Sequence, residues 1–181
     1  LSDALGDDEN VIWIVGGDSP LKTQAHVDIV RAMGEGIRVG RSARRLISYH
    51  ASGGANSALF HGEAWLDFNA QQSGHEALNT PNYDGIESFY HMRPPKPCVD
   101  IEPNYEGMPV FFNFQDGIAP ACRAYFNDYD VRRAMYRSVL AGAAGFTYGH
   151  DGIRQIFRPG DRSHASDGQG TPFWDEALTA P

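Results

Sequence analysis

The sequence lacks several features that would place it in common functional classes. It has no run of about 18 apolar residues, so no segment predicts a membrane-spanning helix. It has no basic stretch followed by an apolar one at its start, so no signal peptide is predicted. Positive charge is scarce, since 15 lysines and arginines face 23 aspartates and glutamates, for a formal charge of −8. We therefore expect neither nucleic acid nor an anionic membrane as a partner.

Cysteine is equally scarce, and the usual nucleotide and serine-hydrolase motifs are missing. Cys98 and Cys122 are too few for a disulfide framework, and the apolar run around Cys98 predicts a buried free thiol. The glycine pairs at 16–17 and 53–54 fit neither Gly-x-Gly-x-x-Gly nor a phosphate-binding loop, so nucleotide binding is not predicted. Without a Gly-x-Ser-x-Gly elbow, a serine nucleophile at Ser52 or Ser73 has little support.

What the sequence does contain is a regular alternation of short apolar runs with helical patterns or loops. Its 181 residues are the size of one domain, 1–181, and an apolar content of 41% is enough to bury a core. The predicted strands are 11–15, 46–50, 65–69, 97–102 and 145–150, and the predicted helices are 23–39, 84–92, one starting at 128, and 174–178. A long irregular segment, 104–126, has the length of a functional loop. Because no Asn-Gly hairpin signal separates the strands, the pattern predicts a parallel α/β sheet.

Polar side chains stand at the ends of these strands. Parallel strands share their carboxyl-terminal edge, and ligand chemistry collects there. The residues at the five predicted strand ends are Asp18, His50, Asn69 with His75, Glu102, and Tyr148 with His150. The sequence therefore predicts a polar site along one edge of the sheet.

Two of these residues, Asp18 and Glu102, are carboxylates. Glycoside hydrolysis needs such a pair, one to protonate the leaving oxygen and one to attack or to activate water. Spacing alone leaves other roles open, since Asp18 could cap the following helix and Glu102 could form a structural salt bridge. Asp100, two positions before Glu102, is expected to support the site or fill the interior rather than to react.

The seven histidines and the aromatic residues have less specific patterns. No histidine pair shows the i, i+4 spacing of a strong metal motif, although His50, His75 and His150 could converge through folding. Most aromatic side chains are expected in the core, while Trp65 or Tyr105 near a strand end could form a platform for a sugar.

Taken together and in order, the segments resemble one known family. They are NVIWIVGGD (10–18), SYHASGG (48–54), WLDFN (65–69) with QSGH (72–75), KPCVDIEP (96–103), NDYDVRR (127–133) and GFTYGH (145–150). As a set they resemble the apiosidase-like glycoside hydrolases, family 140, over nearly the whole chain. Members of that family are α/β proteins with a (β/α)₈ TIM barrel, and the resemblance implies that this chain supplies strands four to eight.

The resemblance also implies roles for the residues at the strand ends. It implies that Asp18 is the general acid/base and that Glu102 is the nucleophile of a retaining mechanism, with no metal or cofactor. It implies a sugar subsite formed by His50, Asn69, Gln72, His75, Tyr148 and His150. The implied substrate is a carbohydrate side chain of the plant cell wall, such as that of rhamnogalacturonan II in pectin, and the implied location is secreted or periplasmic.

A full barrel needs roughly 250 residues, so the resemblance predicts a barrel that is incomplete at both ends of this chain. We expect a missing amino-terminal segment, or another chain, to complete it, because five barrel strands alone leave two open edges. Two other functions stay open at this point. One is a metal-dependent barrel hydrolase that uses His50, His75 and His150 with Asp18, and the other is a non-catalytic carbohydrate-binding half-barrel.

Overall fold

The computed structural model describes residues 2–5, 8–40, 44–110, 124–161 and 171–179, and these ranges contain five parallel strands connected by helices and loops. The strands are β1 (Trp13–Gly16), β2 (Ile47–His50), β3 (Asn69–Gln71), β4 (Cys98–Asp100) and β5 (Gly145–Phe146). The helices are α1 (Ser2–Leu5), α2 (Gln24–Val39), α3 (Asn82–Tyr90), α4 (Asp128–Leu140), α5 (Asp151–Arg154) and α6 (Trp174–Ala177), with one 3₁₀ turn at Ala58–Phe60. The predicted parallel α/β fold is confirmed.

The strands follow one another in space as they do in the chain. β1 pairs with β2, and β4 lies between β3 and β5. The two groups meet where the Asp67 amide donates to the Ile47 carbonyl at 2.9 Å and the Ser48 hydroxyl donates to the Phe68 carbonyl at 2.8 Å. Because all pairs are parallel, the carboxyl ends of the strands lie along one edge.

Helices cover one face of this sheet. Val15 of β1 and Tyr49 of β2 pack with Val30 of α2 in a buried apolar cluster, while Ile14, on the opposite face of β1, is 46% exposed. This follows from the alternation of side chains along a strand. A second cluster joins α3 to β4 through Ile86, Phe89 and Cys98. Polar groups that are to meet a ligand must therefore lie on the uncovered face or at the carboxyl edge.

The cysteine prediction is confirmed for one of the two residues. Cys98 is a free, buried thiol, and burial raises its pKa to about 12. A thiol in that state is an inert part of the core. Cys122 lies outside the described residues.

The third strand does not lie where the sequence predicted it. Trp65 and Leu66 are both buried, but residues 65–68 do not form a strand. The next residue, Asp67, forms an ion pair with Arg38 of α2 and accepts a hydrogen bond from the Ile47 amide at 2.7 Å. These contacts hold the segment as a turn against β2, and Asn69 begins β3 instead of ending it.

The long predicted helices are confirmed to within about two residues, as is usual for helix ends. Thr23 caps α2, and its side chain accepts from the His26 amide. The cap of α4 is Asn127, which forms a capping box with Asp130. The short helix α5 was not predicted. Much of the predicted loop at 104–126 lies outside the described residues, which resume at 124.

We expect two neighbouring glycines of α2 to respond oppositely to alanine. A Cβ at Gly34 would lie 2.3 Å from the Trp65 ring, which is 2% exposed and firmly packed. Gly34→Ala should therefore destabilise the protein by about 1–3 kcal/mol through overpacking. At Gly36 the same Cβ meets nothing within 4 Å, so Gly36→Ala should stabilise by up to about 1 kcal/mol through helix propensity. Urea unfolding followed by tryptophan fluorescence measures both, and equal effects at the two positions would contradict the packing argument.

Candidate active site

Glu102 is the centre of a polar cluster at the carboxyl edge of the sheet. It lies two residues after β4, and its side chain is 16% exposed. His50 Nε2 is 2.7 Å from Glu102 Oε2, and His75 Nε2 is 3.3 Å from Glu102 Oε1. The Tyr105 side chain also favours the charged form of this carboxylate. Two histidines from separate segments thus converge on one acidic side chain.

This environment fixes the charge of Glu102. Burial alone would raise its pKa, but the hydrogen bonds from His50, His75 and Tyr105 outweigh burial and hold the pKa well below its usual range. Glu102 is therefore a carboxylate at neutral pH, with acceptor sites already oriented by its neighbours. With a protonated His50, its contact with Glu102 is a salt bridge, the role that the sequence had left open beside a catalytic one.

The contacts of His50 favour its doubly protonated form. Its Nδ1 lies 2.7 Å from the Ala51 carbonyl, and its Nε2 faces the Glu102 carboxylate. Since both partners only accept hydrogen bonds, both ring nitrogens carry a hydrogen. The hydrogen bond to Glu102 raises the pKa of His50 despite the opposing effect of burial. In this state His50 has no lone pair, either for a metal ion or for activating Ser52.

Asp18 lies at the same edge, in the exposed loop after β1. The preceding residue is tied to β2, because the Gly17 amide donates to the His50 carbonyl at 3.2 Å. The pKa of His50 is raised mainly by its hydrogen bond to Glu102, and that of Tyr105 mainly by burial. The negative charge of Asp18 adds a smaller increase to both. Asp18 is thus within electrostatic reach of two residues that favour the charged form of Glu102. It does not cap α2, since Thr23 does.

Three further predicted subsite residues follow strands at the same edge of the sheet. His75 contacts Glu102 as described. Gln72 follows β3 and is buried, and its Oε1 has no hydrogen-bond partner among the described residues. Tyr148 follows β5 and donates to Glu106 Oε2 at 3.0 Å. Burial, and then this hydrogen bond, raises the pKa of Tyr148 to about 12.

The structure does not bring Asn69 and His150 into the cluster. Asn69 opens β3, at the opposite end of the strand, where its Oδ1 accepts from Ser57 Oγ at 3.3 Å and lies 3.1 Å from His61 Nδ1. His150 is buried and caps α5, with its Nδ1 accepting from the Gly152 amide at 3.1 Å. Burial lowers its pKa. Both side chains are committed to local structure rather than to the surroundings of Glu102.

Asp100 supports the loop that carries His75. It is fully buried, and burial raises its pKa in spite of several hydrogen bonds. Its Oδ1 accepts from the Ser73 amide at 3.3 Å, and its Oδ2 accepts from Asn82 of α3 and Ser138 of α4. These contacts tie the turn after β3 to the helix layer. They agree with the supporting position expected for Asp100 from the sequence.

The effect of Tyr105 on the charge of Glu102 was not predicted from the sequence. The sequence suggested it only as a sugar platform, because an aromatic residue near a strand end fits that role. Its ring lies 4.6 Å from the His75 ring, at an angle of 44°. The sequence indicates that Tyr105 lies near Glu102 only because it follows Glu102 by three residues in the same loop.

The described ranges contain neither a candidate metal site nor a candidate membrane span. No group of three or more histidine, cysteine, aspartate or glutamate side chains in these ranges could hold a metal ion. Among the helices of the same ranges, none is long and apolar enough to cross a membrane. His164 lies outside them.

The ion pair between His50 and Glu102 predicts a specific pH dependence of stability. The pKa of His50 is raised from 6.5 in the folded protein, so its contribution is complete below 6.5 and is lost as the pH rises through the folded value. The pKa of Glu102 is lowered from 4.5, so its contribution is present above 4.5 and is lost as the pH falls through the folded value. We expect the pair to stabilise the fold most between these two limits.

Variants and NMR can test this ion pair. Glu102→Gln should lower the pKa of His50, measured from its ring signals, and reduce the loss of unfolding free energy between about pH 6 and 8. Glu87→Gln removes an exposed carboxylate of α3 and should change neither. An unchanged His50 titration in Glu102→Gln would show that the pair does not set the charge of His50.

The chain is similar to known glycoside hydrolases in sequence and in fold. The family model described as "Apiosidase-like, catalytic domain" matches residues 1–181. A solved structure titled "Glycoside hydrolase" is 31% identical, with a TM-score of 0.83, over 99% of this chain and 41% of its own. A glycoside hydrolase family 5 crystal structure from Bacteroides vulgatus is 34% identical, with a TM-score of 0.83, over 99% of this chain and 39% of its own.

No curated protein matches the chain. The chain spans about two fifths of the length of the two solved glycoside hydrolases. Over that length, the match of the family model and the two structural likenesses lead to one assignment. The chain belongs to the apiosidase-like family of glycoside hydrolase catalytic domains.

Proposed function

We propose that this chain is the part of a glycosidase that carries both catalytic carboxylates, Glu102 as nucleophile and Asp18 as general acid/base. The observation that carries the proposal is the Glu102 carboxylate, held by His50 and His75 at the carboxyl edge of a parallel sheet. In barrel enzymes this edge carries the active site. We assign the five strands to positions four to eight of a (β/α)₈ barrel.

The proposed reaction is a double displacement. Asp18 gives its proton to the leaving oxygen while a Glu102 oxygen attacks the anomeric carbon, so that the glycosidic C–O bond breaks and an ester to Glu102 forms. Asp18, now ionised, takes a proton from water, whose oxygen displaces Glu102 from the same carbon. The products are the free sugar with retained configuration and the hydroxyl of the leaving group, and both carboxyl groups return to their starting states.

The residues around Glu102 suit this reaction. The imidazolium of His50 keeps the nucleophile ionised, which the attack requires. His75 contacts it from the loop after β3, Gln72 precedes His75 in that loop, and Tyr148 follows β5. We propose these residues as the sugar subsite, and a side-chain sugar of the plant cell wall, such as apiose in pectin, as the substrate. The family description supports that substrate class.

Apolar side chains are exposed on the face of the sheet that the helices do not cover. Ile12 and Ile14 of the first strand region are 55% and 46% exposed, on the face away from α2. A barrel buries such residues in its interior. We propose that a further segment of the same protein, or another chain, supplies the other strands and covers this face.

Replacement of the two carboxylates tests the proposed mechanism. In the full-length protein, assayed on plant cell-wall oligosaccharides, Asp18→Asn should lower turnover by about 10²–10⁴, the usual contribution of general acid/base catalysis. Glu102→Gln should abolish nearly all turnover, because it removes the nucleophile. Glu87→Gln, the exposed control on α3, should retain full activity. The anomer formed first, identified by ¹H NMR, should have the configuration of the substrate.

Each part of the mechanism can fail separately. Inversion of the anomeric centre would mean that Glu102 activates water instead of attacking. Full activity in either carboxylate variant would remove that residue from the mechanism. Loss of activity on treatment with a chelator would favour the metal-dependent alternative. Binding of oligosaccharides without hydrolysis of any would favour the non-catalytic half-barrel.

A further inference from the structure

The chain bends sharply between the end of β1 and Asp18. Gly16 and Gly17 have φ angles of 91° and 142°, which residues with a side chain rarely adopt. The Ser19 amide then donates to the Gly17 carbonyl at 2.7 Å, so that Asp18 is the central residue of a three-residue turn. The backbone conformation of the two glycines therefore decides where Asp18 lies.

The first glycine is required by space as well as by conformation. Gly16 is paired with His50 in the register of β1 and β2. A Cβ at Gly16 would lie 2.5 Å from the Tyr49 ring and 2.6 Å from the His50 carbonyl oxygen. The end of β1 thus approaches β2 more closely than a side chain at this position would allow.

The second glycine is required by its conformation alone. A Cβ at Gly17 meets nothing within 4 Å, so that only the positive φ disfavours a side chain there. The Gly17 amide donates to the His50 carbonyl at 3.2 Å, which ties the bend to the end of β2. A substitution at Gly17 therefore alters the direction of the backbone without crowding its neighbours.

His50 is linked to both proposed catalytic carboxylates. Its carbonyl accepts from Gly17, the residue before Asp18, and its Nε2 lies 2.7 Å from Glu102 Oε2. The His50 ring is itself held at its Nδ1, 2.7 Å from the Ala51 carbonyl. A retaining glycosidase needs its two carboxyl groups about 5–5.5 Å apart. One residue at the end of β2 is thus connected to both groups whose separation determines the reaction.

We propose that Gly17 is a positioning residue for Asp18, and that its bend, tied to the His50 carbonyl, sets the separation between Asp18 and Glu102. The proposal rests on the proposed function insofar as it assigns catalysis to these two carboxylates. A misplacement of about 1 Å can lower a rate by about a hundredfold. Displacement of Asp18 would impair protonation of the leaving oxygen and leave the attack by Glu102 intact.

Gly17→Ala in the full-length protein tests the bend, with Gly160→Ala as the matched control. Gly160 also has a positive φ, 92°, and a Cβ there also meets nothing within 4 Å, but it lies in an exposed turn after α5. Both variants should lower the urea midpoint to a similar extent, because alanine disfavours a positive φ. In the wild type, the Gly17 amide should exchange slowly with solvent because it is bonded to His50. An unprotected Gly17 amide would overturn the proposal.

The first readout of the variants needs no substrate. Crystal structures of the full-length wild type and of both variants give the distance between the carboxyl carbons of Asp18 and Glu102. This distance should change by about 1 Å or more in Gly17→Ala, while the contact between His50 and Glu102 stays as it is. Gly160→Ala should match the wild type. An unmoved Asp18 in Gly17→Ala would contradict the positioning role.

The second readout compares an alkyl glycoside and a dinitrophenyl glycoside of apiose. The alkyl leaving group needs a proton from Asp18, whereas the dinitrophenolate leaves without one. In Gly17→Ala, kcat/KM should fall about tenfold to a hundredfold for the alkyl glycoside and less than about threefold for the dinitrophenyl glycoside. Gly160→Ala should change neither.

The outcomes separate this proposal from the proposed function. Equal losses of kcat/KM on the two glycosides in Gly17→Ala would show that the bend does not act through Asp18. If Asp18 moves in the crystal structure of Gly17→Ala but the wild type hydrolyses no glycoside, the proposed function fails while the effect of the bend on the position of Asp18 stands.

Discussion

The ion pair between His50 and Glu102 is the contact on which the site depends. It joins the end of β2 to the end of β4, and β3 lies between them in the sheet. Because the His50 ring also binds the Ala51 carbonyl, its orientation is fixed by its own backbone. The Glu102 carboxylate is therefore positioned by a histidine at the end of a strand, whose ring is itself held by the backbone. Such support is what holds catalytic groups in productive geometry.

A second polar network, on the helix side, supports the first. Asp100, two residues before Glu102, is buried among Asn82 of α3, Ser138 of α4 and the Ser73 amide. Two carboxylates so close in sequence thus have separate tasks. Asp100 anchors the turn after β3 to the helices, and that turn carries His75 to Glu102. Helix packing is in this way linked to the orientation of the acidic group at the edge.

Sequence patterns predicted the features that depend on local periodicity and on the shared edge of parallel strands. The strands around 11–15 and 97–102 and the helix at 23–39 follow from runs and spacing within one segment. Asn69 was misplaced because tertiary contacts of Asp67 override the alternation in 65–69. His150 caps α5, and that helix, only four residues long, has too few residues for a periodic signal. The packing of Tyr105 on His75 depends on the loop conformation, which no local pattern encodes.

The two proposed catalytic carboxylates differ in a way that their proposed roles require. A nucleophile must stay charged and keep one orientation, and Glu102 is held by several donors and little exposed. A general acid/base must gain and lose a proton in each cycle and exchange it with water, and Asp18 lies exposed in the loop after β1. Environments that separate two carboxyl groups in this manner are how one site provides both functions. The asymmetry follows from position, since Glu102 lies two residues after a central strand while Asp18 follows the strand at the end of the sheet.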